Sequence, residues 1–355
     1  MMKRENINKA LFGALIVFGL GFALMQQADA CTRAVYLGPD GTIITGRSMD
    51  WEENTGTDLW AFPRGMKRDG ATGATSIKWV SKYGSVVCSF YNASSVDGMN
   101  EKGLVANVLY LAESDYGKPD GKRPTISIAA WAQYVLDNYA TVTETVAALR
   151  DDPFVVIAPT LPNGRAATGH LAISDSSGDS AVFEYIGGKL VIHHGKNYQV
   201  MTNSPVFDQQ LALNKYWEEI GGLSFLPGTS RASDRFARAS FYINAIPKTS
   251  DMSQALASVF GVIRGVSVPL GITTPGQPNI ASTYWRTVSD HKDKVYYFDS
   301  AISPTVFWVP LAELDLKEGA PAKKLSLVGG KTYSGSAASK FESAEPFAFL
   351  QGTVK

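Results

Sequence analysis

The chain has 355 residues, with 33 Lys plus Arg set against 33 Asp plus Glu. That balance gives no basic stripe for nucleic acid and no charge block of the kind found in tails, while 45% apolar residues allow a sizeable core. The two cysteines, Cys31 and Cys88, are too few for a disulfide-built scaffold but enough for one bridge in an oxidising compartment.

Lys3, Arg4 and Lys9 open the chain with positive charge. An apolar run follows from Ala10 to Met25, and Ala28-Asp29-Ala30 then places small residues at the two positions that a signal peptidase reads. The run is shorter than the roughly 20 apolar residues that span a bilayer, so the pattern predicts a secretory signal peptide over residues 1–30 rather than an anchor. Asp29 suits a lipid-attachment site badly. Cleavage between Ala30 and Cys31 is expected, leaving a periplasmic or secreted protein with no membrane attachment. Residues 31–355 read as one domain, without a repeat or a long linker.

Cys31 to Leu37 is strand-like, Gly38-Pro39-Asp40-Gly41 is a turn, and Thr42 to Arg47 returns as a second strand. A second hairpin is expected from Ser85–Tyr91 and Leu104–Leu111, joined by a loop that contains Asp97, Gly98, Asn100 and Gly103. Within its first strand Cys88 reads as a small core residue. Helices are predicted over Ile126–Tyr139 and from a capping box at Thr141 and Glu144 to about Arg150. Strands follow between His170 and Thr202. Helices come next over Phe207–Ile220, Ser233–Ile243 and Ser250–Val262, the last begun by Ser250 or Asp251. A late hairpin pairs Tyr284–Ser289 with Lys294–Phe298. The order of strands, helices, strands, helices and strands predicts an α+β class with antiparallel sheets and helices outside.

A cysteine that becomes the first residue of a mature chain carries a thiol and an α-amine together. The amine has a reference pKa of about 7.7–8.0, so it is a base near neutral pH, and the thiolate is a strong nucleophile. Such a residue suits amide hydrolysis through an acyl-enzyme. It needs a cation beside the sulfur, a carboxylate on the amine and donors for the oxyanion. Gly46-Arg47-Ser48-Met49-Asp50-Trp51 closes the first hairpin and returns toward Cys31, which makes Arg47 and Asp50 candidates for the first two roles.

Cys31 after the cleavage site, Gly46-Arg47-Ser48-Met49-Asp50, Gly98-Met99-Asn100-Glu101-Lys102-Gly103-Leu104, Thr202-Asn203-Ser204-Pro205 and Ser233-Asp234-Arg235-Phe236 together resemble the choloylglycine hydrolase family, which holds bile salt hydrolases and penicillin V acylases. Their order along nearly the whole of residues 31–355 is the specific part of the resemblance. It implies a four-layer αββα N-terminal nucleophile hydrolase sandwich of antiparallel sheets. It implies Cys31 as nucleophile with its own amine as base, Arg47 beside the sulfur and Asp50 on the amine. Asn203 would give its side-chain amide to the oxyanion, and Arg235 would complete the polar network. Tyr110 falls at a family position near the oxyanion hole, where its backbone N–H would be a second donor. Bile salt hydrolases often have Asn there, and penicillin V acylases often Tyr. Trp51 and Met49 flank Asp50, and an aromatic wall at Trp51 suits a phenoxyacetyl group.

The resemblance implies a small-molecule amide with a bulky apolar acyl group and no cofactor. Penicillin V leads, with bile salts and acyl-homoserine lactones as alternatives. Members that assemble through a long insertion carry it before the segment matching Leu226-Pro227-Gly228; only a short loop stands there in this chain, and a homo-oligomer is left open. No metal site is expected, because His170, His193, His194 and His291 match no H-E-x-x-H or related spacing. No G-x-S-x-G is present for a serine hydrolase. The reading from a different class is an exported binding protein whose Cys31 is bridged to Cys88.

Overall fold

The computed structural model describes residues 31–272, 281–303 and 305–354; the proposed signal peptide lies outside the described residues. In chain order the strands are β1 (Thr32–Leu37), β2 (Ile43–Trp51), β3 (Leu59–Phe62), β4 (Lys67–Asp69), β5 (Lys78–Val80), β6 (Ser85–Phe90), β7 (Ser94–Asn100), β8 (Val105–Leu109), β9 (Thr125–Ser127), β10 (Val155–Ile157), β11 (His170–Ser174), β12 (Ser180–Ile186), β13 (Lys189–His194) and β14 (Val200–Met201). After the second helical stretch come β15 (Ser282–Asp290), β16 (Val295–Ser300), β17 (Val306–Pro310), β18 (Lys323–Leu325), β19 (Gly335–Ser336) and β20 (Glu342–Ser343). The helices are α1 (Ile128–Asn138), α2 (Val142–Leu149), α3 (Phe207–Ile220), α4 (Ala232–Ala245) and α5 (Met252–Val266).

Two large sheets face each other. The first runs β14-β1-β2-β15-β16-β17-β19 and the second β13-β12-β11-β8-β7-β6-β3-β18-β20. Nearly all their pairings are antiparallel; β17 with β19 is parallel. Helices α4 and α5 cover the outer face of the first sheet, and α1 and α2 that of the second. Helix, sheet, sheet and helix therefore form the four layers that the resemblance implies.

One apolar cluster fills the space between the sheets and under α4 and α5, and it includes Tyr36, Ile44, Met99, Val182, Ile263 and Phe298. A second packs α1 and α2 on the other sheet through Trp131, Val135, Leu136, Val146, Leu171 and Phe183. Each such side chain contributes about 1.5–3 kcal/mol on burial. The helix starts follow local chemistry. Thr141 Oγ1 accepts from Glu144 N–H at 3.1 Å, and Glu144 Oε2 takes the Ala140 N–H at 2.8 Å. Asp251 Oδ1 caps α5 at Gln254 N–H, 3.1 Å away.

The expected loop between Tyr91 and Leu104 is different. Residues 91–93 and 101–102 turn, with Tyr91 and Asn92 in the left-handed region, and Ser94–Asn100 between the turns is a fully buried strand. Its polar residues hide the pattern because each finds a partner inside. Ser95 Oγ donates to Gln133 Oε1 at 2.8 Å, and Asn100 Nδ2 bonds the carbonyls of Leu136 and Tyr139 at 2.9 and 2.8 Å. Gly98 sits in this strand because a Cβ there would lie 2.6 Å from the Val86 carbonyl.

Candidate active site

Strand register builds the site. β1 and β2 pair Thr32 with Ser48 and Arg33 with Arg47, so Cys31, just ahead of β1, meets Met49 and Asp50. Residues 47, 49 and 51 share one face of β2 because side chains alternate along a strand. Cys31 is 2% exposed. Its Sγ lies 3.8 Å from Arg47 Nη2 and 3.9 Å from Met49 Sδ, with the Asp50 N–H at 3.5 Å and the Asp50 carbonyl at 3.6 Å. Burial pushes the thiol pKa up, and the Arg47 guanidinium pulls against that.

The Cys31 nitrogen donates to Asn203 Oδ1 at 2.6 Å. Asn203 also accepts from Arg235 Nη2 at 3.0 Å, and its Nδ2 donates to the Tyr110 carbonyl at 2.7 Å. Arg235 is fully buried; its Nη1 bonds the Cys31 carbonyl and, at 2.7 Å, Thr32 Oγ1. Asp50 sits beside this group, with Thr283 Oγ1 donating to it at 2.5 Å and Ser48 Oγ at 3.3 Å. Burial raises the Asp50 pKa to about 6 against the pull of Arg235, Thr283 and Ser48. The five polar residues singled out from the sequence thus meet around one sulfur. Their pairing differs from the implied one, because the Cys31 nitrogen goes to Asn203 and not to Asp50. In the 355-residue chain that nitrogen is a peptide amide with a single hydrogen, and Asn203 Oδ1 accepts it.

The Asn203 turn is held from behind. His170 Nε2 lies 2.8 Å from the Thr202 carbonyl, and its Nδ1 lies 2.8 Å from Glu184, which also accepts from Phe207 N–H at the start of α3. Gln210 Nε2 binds the Asn203 carbonyl at 3.0 Å. These supports were not singled out as site residues.

Above the sulfur opens a pocket walled by Met49, Trp51, Phe90, Tyr110, Ile128 and Leu161 among others. Trp51 meets Phe90 edge-on at 5.3 Å and Tyr110 at 5.8 Å between ring centroids. Met49, Trp51 and Tyr110 are therefore pocket walls, and the wall is overwhelmingly apolar. The two cysteines are not bridged. Cys88 lies in the core with its Sγ 3.2 Å from Tyr296 Oη, which removes the bridged alternative.

Asp97 is the neighbour of the site that the sequence hid most completely, since it was expected in a loop. It stands on β7 of the second sheet, and its Oδ2 lies 3.5 Å from Arg47 Nη1 of the first, with both side chains at most 1% exposed. Tyr296 Oη and Asn107 Nδ2 (2.6 Å) donate to the same carboxylate. Arg47 also bonds the Val96 and Val108 carbonyls at 3.3 and 3.1 Å and lies 4.8 Å from the Trp285 ring centroid. Asp97→Asn removes the charge facing a buried guanidinium. It is expected to lower stability by about 3 kcal/mol, measured by urea unfolding, and to change the rate at which iodoacetamide alkylates Cys31. Wild-type values on both would mean that Asp97 does not support Arg47.

Comparison with known proteins agrees with this geometry. Residues 31–324 match the family of linear amide C–N hydrolases known as the choloylglycine hydrolase family. The chain is 51% identical to a penicillin V acylase of Pectobacterium atrosepticum, across 95% of each chain. It is 24% identical to a conjugated bile acid hydrolase of Lactobacillus acidophilus, over 75% of this chain and 91% of that one. The solved structure of a penicillin V acylase from Agrobacterium tumefaciens superposes with a TM-score of 0.85 at 59% identity, covering 90% of this chain and all of the other. A conjugated bile acid hydrolase from Clostridium perfringens gives 0.73 at 25% identity, covering 86% of this chain and 98% of the other. A shared fold, a matching family pattern and a polar cluster around one cysteine converge: this chain belongs to the choloylglycine hydrolase family and is an amide hydrolase.

Proposed function

We propose that removal of residues 1–30 frees the Cys31 amine and that the mature protein is a penicillin V acylase. The observation that carries this reading is the Cys31 sulfur beside Arg47 at the base of an apolar pocket walled by Trp51 and Tyr110. The phenoxyacetyl group fills the pocket and brings its carbonyl carbon to Sγ. The Cys31 amine takes the thiol proton as the C–S bond forms and gives it to the departing nitrogen as the C–N bond breaks. Water then enters, loses a proton to the same amine and adds to the acyl carbon; the C–S bond breaks, the sulfur takes that proton back and the acid leaves.

Freeing the nitrogen adds hydrogens that the amide lacks. Asn203 Oδ1 keeps one and Asp50 takes another, which restores the role expected for that carboxylate. The Asn203 amide carries a second hydrogen besides the one given to Tyr110, and that hydrogen, with a backbone N–H at Tyr110, receives the oxyanion. Arg47 stabilises the thiolate, and Arg235 holds Cys31 and Asn203 in register. The signal peptide directs the protein to the periplasm or the medium, where processing takes place.

The test is hydrolysis of penicillin V, conjugated bile salts and acyl-homoserine lactones by purified mature protein. Penicillin V is expected to show the largest kcat/KM, by about tenfold or more, a margin worth some 1.4 kcal/mol of transition-state binding. A higher value for bile salts would replace penicillin V by the second substrate that the relatives' names suggest.

A further inference from the structure

His170 is a buried titratable group that takes no part in the bond-making steps. Its side chain is 1% exposed and that of Glu184 2%. β11 and β12 pair Leu171 with Phe183, which sets His170 and Glu184 opposite each other one step further along. On its other edge β11 pairs His170 with Leu109, the residue before Tyr110. The two groups that grip the Asn203 turn therefore come from neighbouring strands. The Tyr110 carbonyl accepts from Asn203 Nδ2 at 2.7 Å, and the His170 ring holds the Thr202 carbonyl.

The hydrogen bonds fix the charge of that ring. Nε2 lies 2.8 Å from the Thr202 carbonyl, and Nδ1 lies 2.8 Å from Glu184 Oε1. A carbonyl oxygen only accepts, and so does a carboxylate. Burial pushes the Glu184 pKa up, but the bonds from His170 and the Phe207 N–H outweigh it and hold the group below its usual range. Glu184 is thus a carboxylate, and His193, which stands 3.7 Å from Asp208, faces it as well. Both nitrogens of His170 must then carry hydrogen, and a ring with two N–H groups is an imidazolium. A neutral ring would turn a lone pair toward one of two buried acceptors.

A charge-assisted hydrogen bond is roughly twice as strong as a neutral one. Here it lands on the residue before Asn203. Thr202 is also tied by its Oγ1 to the Ala232 carbonyl at 3.0 Å, at the start of the helix whose Arg235 reaches Asn203 Oδ1. Such bracing matters because a misplacement of about 1 Å in a catalytic group costs on the order of 100-fold in rate.

We propose that His170 is a positioning residue, held as an imidazolium between Glu184 and the Thr202 carbonyl, that fixes the Asn203 amide where the oxyanion forms. This rests on the acylase reading above for the role of Asn203 and deepens it.

Two variants test it. Glu184→Gln keeps the shape and makes the ring neutral: its side-chain amide donates to Nδ1, and the Nε2 hydrogen stays on Thr202. His170→Leu combined with Glu184→Gln removes both charges together, which a core tolerates better than one charge left alone. In the double variant kcat toward penicillin V is expected to fall about 100-fold with KM within about threefold, the pattern of an interaction realised in the transition state. Glu184→Gln alone should lose about tenfold. Wild-type kcat in either variant would overturn the proposal, and a rise in KM at unchanged kcat would make His170 a support of the substrate pocket instead. Ring-nitrogen NMR of histidine-labelled wild type near neutral pH should show hydrogen on both His170 nitrogens, assigned by the loss of these signals in the double variant. A bare nitrogen in wild type would overturn the charge. In a crystal structure of the double variant Asn203 Nδ2 should leave the Tyr110 carbonyl, and an unmoved Asn203 would overturn the positioning role. These last two measurements need no turnover. A mature protein that cleaves none of the three amide classes would sink the acylase reading alone, and the spectrum and the crystal structure would still decide the place of His170.

Discussion

Cys31→Ala is expected to abolish hydrolysis, with a fall in kcat of about ten-thousandfold or more, while the protein stays folded. The size follows from the absence of a substitute. The side-chain neighbours of Sγ are the guanidinium of Arg47 and the thioether of Met49, and neither forms an acyl bond under these conditions. The small cost to the fold follows from the same contacts. Among the described residues every polar contact made by the sulfur is 3.5 Å or longer, so its removal breaks no strong bond. The strand pairing of Thr32 with Ser48 and of Arg33 with Arg47 does not involve it. The melting temperature should therefore move by no more than about 3 °C. Calorimetry and a penicillin V hydrolysis assay on the same sample check both halves. Substantial activity in the alanine variant would place the nucleophile elsewhere and end the mechanism.

What could be seen in the sequence, and what could not, divides along sequence distance. The β1–β2 hairpin was legible because Gly38-Pro39-Asp40-Gly41 is a local turn signal, and from it came the return of Arg47 and Asp50 to Cys31. Helix α3 was legible to the residue, Phe207–Ile220, and α2 and α5 announced their starts through Thr141 and Asp251. Strand β7 was not, because Ser94, Ser95, Asp97 and Asn100 look solvated until their buried partners on other elements are known. Site residues brought in from far away were hidden for the same reason. Thr283 reaches Asp50 across 233 residues, and Tyr296 reaches Asp97 across 199. No local pattern marks such pairs.

The second large effect concerns the other end of the same residue. A protein that keeps a short leader ahead of Cys31 is expected to be about a thousandfold less active or worse, since a positioned general base is worth about 10²–10⁴. An amide nitrogen cannot take the thiol proton, because its lone pair is delocalised into the carbonyl. Among the described residues nothing nearby replaces it. The His170 ring faces Glu184 and the Thr202 carbonyl, and that of His291 faces Thr45 and the Gly103 carbonyl. The Asp50 carboxylate is taken up by Thr283 and Ser48. The Cys31 N–H would still donate to Asn203 Oδ1, so the leader leaves the polar cluster in place and removes only the base. The leader is best built as a protease site whose cut falls just before Cys31. Activity toward penicillin V should then be absent before the cut and appear in step with mass-spectrometric release of the Cys31 terminus. A leader-bearing protein as active as the cut one would mean that the proton goes to some other group, and the free amine would lose its place in the mechanism.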